Sequence, residues 1–387
     1  VRAPSLRFVV LVLAVAAGAS VGNLWILQPL MPMVARGFSI TPRAVGAVSM
    51  LTQVGYGAGM FLFVPLGDVL ERRRLMLVFV GAVAVTLVAV AASPTAAVLA
   101  VASLLVGAMN MVPQMAVPLA AHLAPAEARG RAVGTVMGGL LVGILLARTA
   151  AGFIGAHLGW RAVYLSAAGL MVVLGIVLRA LLPRSPAQAA MPYPALLRSM
   201  FSIAREDRVL REAAALGACG FAAFTAFWST LAFFLEARFG LGADAAGLFG
   251  LLGAGGALAA PVLGRLADRT SARANAGLAL AVALLGWLVF ALLGTTLAGL
   301  VAGVLLLDVG VQATHVSNLA RVHGRRPEAR GRMNTVYMVS YFAGGALGTA
   351  VGTWAWTSFR WAGVCGTGLG FVALGLVVWW SGRGVTE

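Results

Sequence analysis

The sequence predicts an all-α membrane protein: twelve transmembrane helices in two pseudo-symmetric six-helix bundles. Three observations predict it. Of 387 residues, 61% are apolar and only 10% are charged, and the apolar residues come in runs of about 20, the length that crosses a hydrocarbon core of ~30 Å. The second half of the chain repeats the loop pattern of the first, the mark of a duplicated unit. Arginines crowd every second loop and are sparse in the others, as the positive-inside rule requires of a multi-pass chain.

Taken in order, the first six spans are expected near 8–31, 44–64, 75–92, 96–120, 132–154 and 162–182, forming a bundle over residues 1–182. Arg2 and Arg7 followed by Phe8 to Val15 and small residues resemble a signal peptide. The apolar stretch continues to about Leu30, however, and reads as a span of ~20 residues. Residues 183–212 carry Pro183, Pro186, Pro192 and Pro194 and then Arg198, Arg205, Arg208 and Arg211. They are expected to form a solvated cytoplasmic linker with one short surface helix. The second set is expected near 213–235, 246–264, 274–293, 298–317, 333–353 and 361–380, a second bundle over 213–387. With both termini in the cytoplasm, 22 arginines lie on that side; Arg36, Arg43, Arg161, Arg238 and Arg360 lie outside, and Arg148 lies within the fifth span. The pairs Gly55/Gly59 and Gly139/Gly143, and the triple Gly344/Gly348/Gly352, have the four-residue spacing that lets helix backbones approach in lipid.

Composition excludes several function classes. All 28 basic residues are arginine, so there is no lysine for a phosphate-binding loop, a Schiff base or a serine-lysine dyad. ATP-driven pumping is thereby excluded and ion gradients are left as the energy source. The net charge of +16 is spread between apolar runs and forms no basic domain, which argues against nucleic acid. Cys219 and Cys365 sit in apolar runs and suggest no disulfide, and His122, His157, His315 and His323 share no zinc spacing. No metal, cofactor or enzymatic activity is expected.

The polar residues inside spans carry the functional reading. Asp308 lies about ten residues into the tenth span, roughly 15 Å deep at ~1.5 Å per residue. A carboxylate there must be paired, wetted or protonated, so Asp308 either loads and releases a proton as its surroundings alternate or locks helices in a buried network. Gln312 and His315 follow at i+4 and i+7 on the same face. Arg148, about 16 residues into its span, lies in the outer part of the core. It holds an anionic group of the substrate, pairs with Asp308 in one conformation and releases it in another, or binds backbone carbonyls. Further stripes are Asn23 and Gln28; Gln53 and Tyr56; Asn110 and Gln114; Trp228; and Asn334, Tyr337 and Tyr341. Each lines a solute cavity or bonds one helix to another.

The loop after the second span reads Val64-Pro65-Leu66-Gly67-Asp68-Val69-Leu70-Glu71-Arg72-Arg73, and that after the eighth reads Gly264-Arg265-Leu266-Ala267-Asp268-Arg269. Ala128-Arg129-Gly130-Arg131 recurs as Ala329-Arg330-Gly331-Arg332, with Trp160 and Trp361 in the same register. In that register the partners of Asp308 and Arg148 are Gly107 and Thr349, so neither charge belongs to the duplicated scaffold. These loops resemble the signature of the major facilitator superfamily, intact in the second copy and degenerate in the first. Asn23 to Leu30 and Asp308 to Ala313 are similar to a bacterial subgroup of predicted efflux permeases within it. The resemblance implies two bundles around a cavity that opens alternately to each side, gated through Asp68, Arg72, Arg73, Asp268 and Arg269. Asp68 would face the positive N-terminal end of the eleventh helix, and Arg72 and Arg73 would pair with nearby acids. It also implies a place in the bacterial inner membrane.

The expected function is secondary transport of a small organic solute by alternating access, exported by proton antiport through Asp308. Uptake or facilitated exchange of a metabolite stays open. Leu146 to Gly152 lacks the Gly-Pro pair usual in the fifth helix of the superfamily's drug antiporters. A membrane sensor that binds without moving its solute is the remaining class. The expected partners are the solute, protons and the lipid bilayer, and the chain is expected to act as a monomer.

Overall fold

The computed structural model describes residues 5–183, 191–253, 271–326 and 329–382, and of residue 68 the backbone alone. Among them there is no strand. The first bundle comprises α1 (Leu6–Gly22), α2 (Leu27–Gly37), α3 (Pro42–Phe63), the short α4 (Leu66–Val69), α5 (Arg72–Ala91), α6 (Ala96–Met109), α7 (Val112–Leu123), α8 (Arg129–Leu158) and α9 (Trp160–Leu181). Helix α10 (Tyr193–Glu206) is the surface helix of the linker. The second bundle comprises α11 (Arg208–Trp228), α12 (Leu231–Phe239), α13 (Ala243–Gly253), α14 (Ala272–Leu293), α15 (Leu297–His323) and α16 (Arg330–Ser381).

Ten of the described helical stretches are long and apolar enough to span a bilayer. Helix α16 divides at Arg360 (φ 55°, ψ −145°) into two of the expected spans. Helix α13 is the described part of the eighth, whose remainder lies outside the described residues, as do Asp268 and Arg269. Helix starts follow capping chemistry: Thr41, Thr95, Ser271 and Thr296 each accept a bond from the backbone N–H three residues on. Asp207 caps α11 at 2.9 Å, so that helix begins at Arg208, and Glu212, expected in the solvated linker, is buried inside it.

Three spans are broken near mid-membrane, between α1 and α2, α6 and α7, and α11 and α12. Freed backbone groups at such breaks need partners inside protein. The hydroxyl of Thr230 supplies one, donating to the Ala226 carbonyl at 2.8 Å. The glycine seams behave as their spacing predicts. Gly18 faces Gly139 and Gly143; Gly55 and Gly59 face the Leu104 and Ala108 carbonyls; Gly344, Gly348 and Gly352 face Ala218, Ala222 and Ala226. With lipid as apolar as the side chains, such close approach supplies the packing energy.

The bundles meet on the face opposite the arginine-rich one. Arg36 of α2 pairs with Glu236 of α12, Gln53 of α3 donates to Thr349 of α16 at 2.7 Å, and Thr149 of α8 donates to the Gly247 carbonyl of α13 at 3.1 Å. On the arginine-rich face the linker helix touches both bundles. Tyr193 donates to the Leu62 carbonyl at 2.6 Å, while Arg325 and Arg326 reach Asp207 and Glu206 at 3.5 and 3.4 Å. The Ser202 hydroxyl, and then Arg326, hold the exposed Glu206 carboxyl below the usual carboxylate range.

The closed face offers a direct test. A Cβ on Gly46 would stand 2.6 Å from that of Thr353, against the ~3.5–4.5 Å of a disulfide, so helices that part by roughly 1 Å accept one. The double variant Gly46→Cys, Thr353→Cys should cross-link on mild oxidation, stabilise the fold by about 2–4 kcal/mol, and revert with reductant. Thiol titration and thermal unfolding report it, and the native Cys219 and Cys365 are buried. Two thiols that remain free under oxidant would mean that α3 and α16 do not rest in this closure.

Candidate functional site

The centre of the molecule holds one acid and one base from different bundles. Arg148 is ten residues short of the far end of α8 and Asp308 is eleven past the start of α15, which sets both roughly 15 Å below the far face at ~1.5 Å per residue. Helix α8 runs to Leu158 where the fifth span was expected to stop near 154, so Arg148 lies deeper than the sequence suggested. Both are 3% exposed.

Asp308 accepts a bond from the Trp228 indole N–H through Oδ1 at 3.4 Å. Its Oδ2 packs on α13: a Cβ added to Gly253 would stand 2.8 Å from that oxygen. Glycine at this position is therefore what makes room for the carboxylate. The Arg148 guanidinium lies 4.1 Å from the ring centre of Trp228, 5.2 Å from that of Trp25 and 5.7 Å from that of Phe224. Of the three arrangements open to Arg148 from sequence, it adopts among the described residues neither the ion pair with Asp308 nor the bond to a backbone carbonyl; Nε and Nη2 are buried with no hydrogen-bond partner among them. Trp228 joins the two, donating its indole N–H to Asp308 and lying under the Arg148 guanidinium.

Below Asp308, toward the arginine-rich face, Gln312 and His315 are half-buried. The His315 ring packs on Tyr341 at 4.7 Å, and its Nδ1 lies 3.0 Å from the Tyr337 hydroxyl. Phe221 stacks on Tyr341 at 4.0 Å and reaches Trp25 at 6.0 Å. Asn23 and Gln28, at the break between α1 and α2, are buried with amide atoms unpartnered among the described residues. Tyr56 packs on Phe342 at 4.6 Å and accepts a bond from Gln114 at 3.0 Å.

Three residues expected to line the cavity have other partners. Asn110 is fully buried, and its side chain donates to the Ser20 carbonyl at 2.6 Å and accepts from the Ser20 hydroxyl. It fastens the break in the fourth span to α1. Gln53 belongs to the closure between bundles. Asn334 is the fifth residue of α16 and lies 3.3 Å from His323, at the arginine-rich end and not at depth. Of the gating residues, Arg72 donates to the Gly67 carbonyl at 3.0 Å. Arg73 donates to the Arg179 carbonyl of α9 at 2.5 Å, where an acid was expected. In return the structure adds Trp25, Phe224 and Gly253. Phe224 precedes Trp228 by one helical turn, a signal present in the sequence; no local pattern announces Trp25 or Gly253.

Two broken-helix bundles closed on one face around a buried acid and base define a membrane transporter. The family model of the Major Facilitator Superfamily matches residues 13–349, and the chain belongs to that family. It is 39% identical over 374 residues to the uncharacterized transporter YgaY of Escherichia coli O157:H7, covering 96% of this chain and 95% of that one. It is 31% identical to a chloramphenicol resistance protein of Streptomyces lividans, over 73% and 72% of the two chains. Among solved structures, a bacterial homologue of the human lysosomal transporter Spinster shares the fold with a TM-score of 0.78 at 15% identity, over 97% of this chain and 95% of that one.

Proposed function

We propose that the chain is a proton-coupled secondary transporter of a small organic solute, in which Asp308 takes up and returns the proton. The observation that carries this reading is a carboxylate held at mid-span, with a neutral indole as its bonding partner and the Arg148 cation on the face of that indole. A carboxylate so placed changes charge when its surroundings pass from dry to wet, which is what alternating access does to it. The arginine-rich face is read as cytoplasmic, and the closure at Arg36 and Glu236 as the outer gate, so this state opens inward.

Direction follows from the charge of the solute. A cation or a neutral compound that competes for Asp308 is exchanged for the proton and leaves the cell, as first expected. The resistance protein of Streptomyces lividans supports that direction. The second reading, uptake, is favoured by the position of Arg148: an anion held there stabilises the protonated acid beside it, so the two travel together.

The test is proton movement in inverted vesicles carrying wild type or Asp308→Asn, followed with a pH-sensitive dye and matched cationic, neutral and anionic compounds. At least one compound should move protons with wild type and not with the variant. Equal responses from the two would sink the assignment of Asp308.

A further inference from the structure

We propose that Arg148, held by Trp25, Phe224 and Trp228, is a subsite for a carboxylate, and that the solute is an organic monoanion with an apolar or aromatic body. This rests on the transport reading above and, within it, on the second direction.

A guanidinium buried in protein must be compensated. Here three π faces supply the compensation, with Trp228 at 4.1 Å, and aromatic rings stabilise a cation without consuming its N–H donors. Nε and Nη2, both buried with no partner among the described residues, form one side edge of the planar group. That edge presents two parallel N–H bonds at the spacing of carboxylate oxygens, the bidentate geometry that makes such pairs strong. A buried donor pair with no acceptor is costly, so the site is built for an in-plane oxyanion. The carboxylate of Asp308 does not fill it, since its Oδ1 is bonded to Trp228 and its Oδ2 is packed against Gly253. Phe221 and Tyr341 continue the aromatic wall from Trp25, which suits an apolar body.

Charge sets the coupling. With Asp308 ionised, acid and base cancel and an added anion is repelled by the carboxylate. With Asp308 protonated, the rings are all that offsets the Arg148 charge, and the anion neutralises it. Proton and anion therefore bind cooperatively, each favouring the other by the same factor. Among the described residues, the ionisable groups around Asp308 are Arg148 from α8 and Tyr341 from α16, with His315 on its own helix packed against Tyr341.

The experiment uses the full chain in lipid nanodiscs and three probes of one shape: naphthoate, naphthamide and naphthylmethylammonium. Binding is measured calorimetrically across pH values at which naphthoate stays ionised, with proton uptake read by an indicator in weak buffer. Naphthoate should bind at least about tenfold more tightly than the other two, tighten as the pH falls, and take up protons from solution. Arg148→Gln should lose that preference. In Asp308→Asn, naphthoate should bind with no pH dependence and no proton uptake. Equal binding of naphthoate and naphthamide to wild type, or no naphthoate binding, overturns the subsite, and needs no variant to be folded. Naphthoate preferred without proton uptake leaves the subsite standing and overturns the role of Asp308 instead.

Discussion

Replacing Glu212 by alanine will cost the protein about 3–5 kcal/mol of stability, the usual effect of removing one partner from a buried ion pair. Glu212 stands at the arginine-rich end of α11, 5% exposed on its side chain, between Arg321 (1%) and Arg273 (14%). Its Oε2 accepts from Arg321 of α15 at 2.6 Å and its Oε1 from Arg273 of α14 at 2.9 Å. Arg273 in turn donates to the Trp379 carbonyl, and the Trp379 indole donates back to the Arg273 carbonyl at 3.0 Å. One carboxylate thus ties α11 to α14 and α15, and through Arg273 to the end of α16. Without it two largely buried guanidinium groups lose this carboxylate. Thermal unfolding of the purified chain, read by size-exclusion chromatography, checks this. Glu212→Gln should fall nearly as far, because the lost quantity is charge and not shape. A wild-type melting point in either variant would show that water replaces the carboxylate freely.

Gly143→Val will separate α8 from α1 and cost at least about 1–3 kcal/mol, the range for overpacking. A Cβ at residue 143 would meet the backbone of Gly18, and one at Gly18 would meet Gly139. The obstacle is backbone on both sides, so no side chain can turn away to make room. The control lies on the same helix. Gly138 has nothing within 4 Å of its Cβ direction, and valine there should change stability by no more than about 0.5 kcal/mol. Yield and melting temperature of the two variants should differ in that order. Equal loss would point to helix propensity instead of packing as the cause.

How much of this was legible beforehand depends on the range of the physics. The glycine seams came from spacing along one helix and hold in the structure; the same spacing put Asp308 in the middle of its span, and it stands eleven residues past the start of α15. Arg148 was found for the same reason but set nearer the helix end, because α8 runs four residues past the expected 154, through His157 to Leu158. Asn110, Gln53 and Asn334 shared the pattern of cavity residues, since a polar side chain facing protein looks alike in sequence whether its partner is a solute, a serine or a threonine. Trp25, Phe224 and Trp228 converge on Arg148 from α11 and from the break between α1 and α2, and no spacing along one helix encodes a convergence of that kind.

The sequence by itself determined the membrane, the twelve spans, the duplicated bundles and the arginine-rich face. Lipid imposes those rules locally: each span must satisfy its own backbone and present about 20 apolar residues. Only the tertiary structure decided which polar groups meet, which are already bonded, and that Nε and Nη2 of Arg148 have no partner among the described residues while Asp308 is held by an indole. Helix rotation and depth settle such matters, and these are set between helices, by glycines that let one backbone rest on another far away in the chain.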